Sequence, residues 1–182
     1  MFNQLVQKTR GFVKGWLFQK DGTAAVEAAF VFPILLVLLL GTFDMGRGIL
    51  SNQKTIRASQ ITADLITRAR TVSVADVNEA VNAGELALHP FSTDTFGVEI
   101  VSVRFDEDST PEVVWSELRG NITANANVLT DVASLAEPNG GVVVVTVEYD
   151  FEPVFAGFVI DQISMRETAF SRGRKSAVVG LE

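Results

Sequence analysis

The sequence predicts an α+β chain: a long N-terminal transmembrane helix extended by an amphipathic helix, then a small antiparallel sheet of about four strands. Three observations predict it. Between Thr23 and Phe43 run 21 residues with one charge among them, Glu27. From Ile49 to Ala69 apolar side chains recur at helical spacing between charged ones. From Val98 onward the pattern changes to short β-branched runs separated by Asn, Asp, Gly and Pro.

A helix over residues 23–43 would be roughly 30 Å long, the thickness of a bilayer's hydrocarbon core. The run is too long for the apolar part of a secretory signal. Its end, Leu39-Leu40-Gly41-Thr42-Phe43, is a poor small-x-small cleavage site, so a retained membrane helix is expected. Charge divides around it. Residues 1–22 carry Lys8, Arg10, Lys14 and Lys20 against Asp21, whereas residues 44–182 carry 11 basic and 20 acidic side chains. Basic flanks stay cytoplasmic, so the N-terminus is expected inside and the acidic part outside. The expected organisation is a basic cytoplasmic leader over 1–22, a transmembrane helix over 23–43 and an exported α+β domain over 44–182. An acidic exported domain repels phosphates and argues against nucleic acid as a partner. The chain has no cysteine, which removes thiol nucleophiles and Cys-bound metals; a domain of this size can fold without disulfides.

A carboxylate inside an apolar helix is costly and needs a partner. Were the chain cut after Gly22, Thr23 would become the N-terminus and Glu27 the fifth residue, four apart on one helix face. The new ammonium and the carboxylate would then neutralise each other, most usefully between neighbouring subunits. Otherwise Glu27 is a single acid tolerated near the interface of an uncleaved anchor. Ala24 with Ala28 and Ala25 with Ala29 form small-xxx-small pairs beside Glu27. They either admit a neighbouring helix closely or serve only as good helix formers. Pro33 removes a backbone donor and is expected to bend or loosen the helix, as a packing device or an incidental kink.

Gly22, then Thr23-Ala24-Ala25-Val26-Glu27, Pro33, a leucine-rich run and Gly41-Thr42-Phe43-Asp44-Met45-Gly46-Arg47 resemble the TadE-like family. Those proteins are minor pilins or pseudopilins of the tight-adherence (Tad/Flp) pilus system, a branch of type IV pilus biogenesis. The resemblance covers about 26 residues; the other residues match only in size and character. Ala28 stands where the family often has an aromatic, and Asp44 where a glutamate usually precedes the Gly-Arg pair. The resemblance implies a pilin-like fold, with Gly22 before the bond cut by a prepilin peptidase, Thr23 as the mature N-terminus and Glu27 guiding processing or assembly. It also implies as partners that peptidase, other pilins and pseudopilins of the Tad system, the inner-membrane assembly platform and the lipid bilayer. The implied role is pilus assembly for adhesion and biofilm formation, from the bacterial inner membrane, with the C-terminal domain periplasmic and filament incorporation left open. The alternative is an unprocessed single-pass membrane-anchored periplasmic binding or scaffold protein.

Beyond Phe43 the helix is expected to continue into water. Ile49, Leu50, Ile56, Ile61, Leu65 and Ala69 would form its apolar side, Ile66 would break the pattern, and Gly46 and Gly48 would loosen its start. A second helix is expected from Ser73, as cap with Asp76 three residues on, to Leu88 before His89-Pro90. Strands are expected in GVEIVSVRF and EVVWSEL, joined as a hairpin through residues 106–111, in Val142–Tyr149, and in Ile163–Ser171. The apolar connection Phe151–Ile160 is expected to pack against the domain, with contact to a partner as the alternative. No cofactor motif and no catalytic constellation is present: the one histidine, His89, precedes a proline, and G-x-S-x-G, H-E-x-x-H and phosphate-loop patterns are missing. Asp106, Asp108 and Glu112 superficially resemble a calcium loop, but Pro111 stands where such a loop needs glycine. The chain is therefore read as a non-enzyme.

Overall fold

The computed structural model describes residues 21–157 and 159–182. The basic residues Lys8, Arg10, Lys14 and Lys20 of the expected leader lie outside the described residues. The elements are α1 (Asp21–Ile66), β1 (Thr71–Val72), α2 (Val74–Ala87), β2 (Gly97–Phe105), β3 (Pro111–Gly120), α3 (Val128–Asp131), β4 (Gly141–Phe151), β5 (Ile163–Ser171) and β6 (Gly180–Leu181). The chain divides into two compact units, Met1–Phe43 and Asp44–Glu182. The expected α+β class is what the fold shows, a long apolar N-terminal helix and a four-stranded antiparallel sheet.

In the first unit, α1 is the one helix among the described residues long and apolar enough to cross a membrane. It runs unbroken through Pro33, which gives no N–H to the carbonyl of Ala29. It also continues without a break through Gly46 and Gly48.

In the second unit the sheet order is β3-β2-β4-β5, all neighbours antiparallel. β4 lies inside the sheet with both faces covered, which is why Val142 to Val145 form an uninterrupted apolar run. One face, with Val98, Ile100, Val143, Val145, Val147 and Phe151, packs among residues of α1 and α2. The other, with Val101, Val103, Phe105, Val142 and Val144, packs under Val128 and Val132. The segment after β3 covers this second face. There Glu99, almost fully buried, accepts the N–H of Asn125 at 2.9 Å.

The buried side of α1 is not the apolar side read from the sequence. Ile49 and Leu50 are exposed, and Ile66, the residue that broke the pattern, is 1% exposed in the core. The buried residues are Ser51, Thr55, Ala58, Ser59, Thr62, Ala63, Ile66 and Thr67. Small side chains let the helix approach its neighbours closely. Their hydroxyls avoid a desolvation penalty by donating to backbone carbonyls: Thr55 to Ser51 at 3.1 Å, Ser59 to Ile56 at 2.8 Å, Thr67 to Ala63 at 2.8 Å, and Thr62 across to Ala80 of α2 at 3.2 Å.

α2 begins with the expected capping box. The Ser73 hydroxyl accepts the Asp76 N–H at 3.3 Å, and the Asp76 carboxylate accepts the Ser73 N–H at 2.8 Å. At its C-terminus Lys54 of α1 donates to the Ala87 carbonyl at 3.2 Å, a cation at the negative end of the helix. The segment after β5, which the sequence left unassigned, returns along the domain. Ser102 Oγ and Trp115 Nε1 both donate to the Val179 carbonyl at 2.8 Å, and β6 pairs parallel with β1. In the hairpin between β2 and β3, the Asp106 carboxylate accepts the N–H groups of Asp108 and Thr110 at 3.0 and 2.7 Å, an Asx-type turn. Sequence reasoning also had Phe151–Ile160 packing inward. Instead Val154 is 54% exposed, Val159 69% and Ile160 46%, because the backbone of this loop is held from α1, as described below.

Gly84 is where α2 crosses α1. A methyl there would normally add about 1 kcal/mol of helix propensity. Its carbon would, however, stand 2.3 Å from Thr62 Oγ1 and 3.3 Å from the Ala58 carbonyl oxygen. The steric effect is the larger, so Gly84→Ala should destabilise the full chain in detergent micelles by about 1–3 kcal/mol, read as a lower unfolding midpoint. Thr62→Ala added to it removes the nearest atom and should recover part of the loss; simple additivity of the two would contradict the clash.

Candidate functional site

The residues singled out on the apolar helix all lie in the first half of α1. Gly22 and Thr23 lie at the start of the described part of α1. Every position from Gly22 to Leu39 is exposed, including Phe30 at 72% and Phe32 at 64%. A stretch of such side chains requires a cover other than water. Thr23 and Glu27 stand four residues apart on one face. Ala24 and Ala28 do so on a second face, and Ala25 and Ala29 on a third. All are exposed, so this helical geometry leaves the small side chains and the carboxylate accessible to another helix. Among the described residues an added Cβ at Gly22 would meet nothing within 4 Å, nor is its φ one that requires glycine.

A second constellation lies one residue beyond the apolar run. Asp44 is 5% exposed although it sits on the helix surface. Its Oδ1 accepts the N–H of Val154 at 3.0 Å, and its Oδ2 accepts those of Phe155 and Ala156, each at 2.7 Å. Three successive N–H groups converging on one carboxylate form an anion nest, here occupied by the protein's own side chain. One turn on, the Arg47 guanidinium lies 5.4 Å from the centre of the Phe91 ring, a cation–π distance. Phe91 in turn meets Phe151 edge-on at 6.1 Å. Both charged residues that follow the run are therefore engaged by the domain. Sequence reasoning had Asp44 only as a retained charge and gave Arg47 no contact. A flanking acid and base look alike whether solvated or buried, and the N–H donors are 110 to 112 residues away.

Burial of the Asp44 carboxylate would raise its pKa, but the N–H groups of Ala156, Phe155 and Val154, and the charge of Arg47, together hold it below the ordinary 3.8. Its folded value being lower than its unfolded one, Asp44 contributes stability that is complete above the usual carboxylate range. That contribution is lost as pH falls through the lowered folded value. Acidification below about pH 4 should therefore loosen residues 152–162. At neutral pH, Asp44→Asn should speed amide exchange at Val154, Phe155 and Ala156 about tenfold or more in the micelle-bound chain. Unchanged protection there would mean that the carboxylate does not hold the loop.

Comparison with curated proteins and with solved structures returns no match. A family model does match, over the exposed apolar helix, the Asp44–Arg47 turn and the hydroxyl-lined face that follows: residues 22–64 of this chain match the family described as TadE-like protein.

Proposed function

We propose that the chain is a minor pilin or pseudopilin of a Tad/Flp-type pilus system, taking part in pilus assembly for adhesion and biofilm formation. The observation that carries this reading is Glu27 standing exposed in a helix stretch, Gly22 to Leu39, of which nothing is buried, within the segment that matches the TadE-like family. A simple anchor has no use for a carboxylate there; an assembling helix does, because a neighbouring subunit can neutralise it.

In this mechanism the chain inserts with its basic N-terminal flank in the cytoplasm and the domain from Asp44 onward in the periplasm. A prepilin peptidase cuts between Gly22 and Thr23. Among the described residues nothing packs against Gly22, and its identity is explained if another protein reads it. Cleavage exposes the Thr23 ammonium, which pairs with Glu27 of an adjacent subunit. The Ala24, Ala25, Ala28 and Ala29 faces admit the adjacent helix, with Pro33 easing the local backbone. Other pilins, pseudopilins and the inner-membrane assembly platform are the corresponding partners.

Mass spectrometry of the chain extracted from membranes of a bacterium with an active prepilin peptidase should show Thr23 as the first residue. An intact residue 22 in that setting overturns the processing step and favours the unprocessed periplasmic anchor. Glu27→Ala should insert as the parent does but lose filament output; normal piliation and adhesion by this variant would remove the carboxylate from the mechanism.

A further inference from the structure

The loop between β4 and β5 is apolar, exposed and tied to α1 at one point. Val154, Val159, Ile160 and Ile163 are 54%, 69%, 46% and 42% exposed. The turn within it is closed by the N–H groups of Val159 and Ile160 donating to the Ala156 carbonyl at 2.9 and 3.0 Å. Its first half is bonded through three N–H groups to Asp44, the residue joined directly to the end of the 21-residue apolar run. We infer that this loop is a second membrane contact, its apolar side chains lying in the bilayer interface beside the point where α1 leaves the lipid. The inference rests on reading residues 23–43 as a membrane span.

Three features favour lipid over another protein as the occupant. The first is place: whatever Asp44 holds lies within a turn of helix of the run's end. The second is the chemistry of α1 at that level. Between Glu27 and Lys54 the only charged residues are Asp44 and Arg47, and both are engaged by the domain, as described above. On the outer side of the same turns stand Met45 and Ile49, 69% and 57% exposed. The uncharged exposed surface of the helix therefore extends beyond Phe43, further than the roughly 20 residues a span needs, into the region where interfacial groups reside. The third is the match between neighbours. The loop's exposed Val154 and Phe155 are bonded through their N–H groups to Asp44, next in sequence to the exposed Met45, as a shared interface with lipid requires. Glu152 and Asp161 bracket the apolar part of the loop, so anionic headgroups do not attract it. Apolar burial is the driving force, and insertion should be no stronger in anionic membranes than in neutral ones.

The absence of cysteine makes the test direct. Single variants Val159→Cys, Leu38→Cys and Glu107→Cys of the full chain carry an environment-sensitive thiol fluorophore. Each is reconstituted in phosphatidylcholine vesicles, with or without phosphatidylglycerol, containing lipids nitroxide-labelled high on the acyl chain. The expected result is lipid quenching and a blue-shifted emission at 38 and 159, with severalfold weaker iodide quenching than at 107. Adding Asp44→Asn should return the label at 159 to the behaviour of 107 while leaving 38 unchanged. Lipid quenching at 38 together with iodide access at 159 equal to that at 107 overturns the loop contact and leaves the span standing. Protection at 159 from iodide and lipid alike means a protein surface, such as a second copy of the chain, covers the loop, and overturns the lipid assignment. No lipid quenching at 38 overturns the span and the loop contact together.

Discussion

Because α1 is one unbroken helix of 46 residues, its sequence has to suit two surroundings in succession. From Gly22 to Leu39 every described side chain is exposed. From Ser51 to Thr67 eight residues are buried in the domain. The same backbone serves both, so only side chains can mark the change. They do so within two turns, by Asp44 accepting three N–H groups and Arg47 lying over Phe91. A solvated acid and base at those positions would have ended the apolar surface abruptly. Drawn into the domain, they organise the β4–β5 loop and the Phe91–Phe151 contact and leave the outer side of the helix uncharged.

The second half of α1 uses a different chemistry from the usual apolar stripe. Its buried face is made of hydroxyls and methyls, and its neighbours come close: Gly84 leaves no room for a Cβ against Thr62. A hydroxyl that donates to the carbonyl three or four residues back covers its own polarity and occupies little volume. Such a face trades apolar area per residue for proximity, and the large side chains that fill the core come instead from the sheet, with Phe105, Phe151 and Ile100 almost fully buried.

That choice explains which parts of the fold were legible in the sequence. The strands were, because β-branched runs bounded by turn residues have few other interpretations; β5 matches its expected limits, Ile163–Ser171. The α2 cap was legible because Ser73 and Asp76 act locally. The buried face of α1 was not, since periodicity assigns Ser51, Thr55, Ser59 and Thr62 to the polar side and Ile49 and Leu50 to the core. Only the position of the sheet decides otherwise. The role of Asp44 was hidden for a related reason: its donors belong to a loop more than 100 residues away, and a carboxylate carries no mark of what it will meet. The pairing of β1 with β6 was equally hidden, as two-residue strands leave no pattern. Of the candidate site, the membrane-length apolar helix was legible, whereas the degree of exposure of each side chain was not. Val26 and Val31 would have read the same in a buried helix.

The glycines of this chain separate what the fold needs from what it does not. Gly84 is required by a close crossing, and Gly120, at φ +72° with the Phe96 carbonyl 2.2 Å from where a Cβ would stand, is required twice over. Gly22, Gly41 and Gly46 meet nothing within 4 Å, yet each lies within α1, where glycine costs up to about 1 kcal/mol against alanine. A contact with another helix or protein would account for them, in line with the proposed assembly. At Gly22 the proposed peptidase would supply such a contact, and at Gly41 and Gly46 a closely approaching helix would supply another. On the proposed reading the helix serves assembly along its exposed length, and Glu27 is the one charged member of the surface from Gly22 to Phe43, otherwise made of small, apolar and hydroxyl-bearing groups.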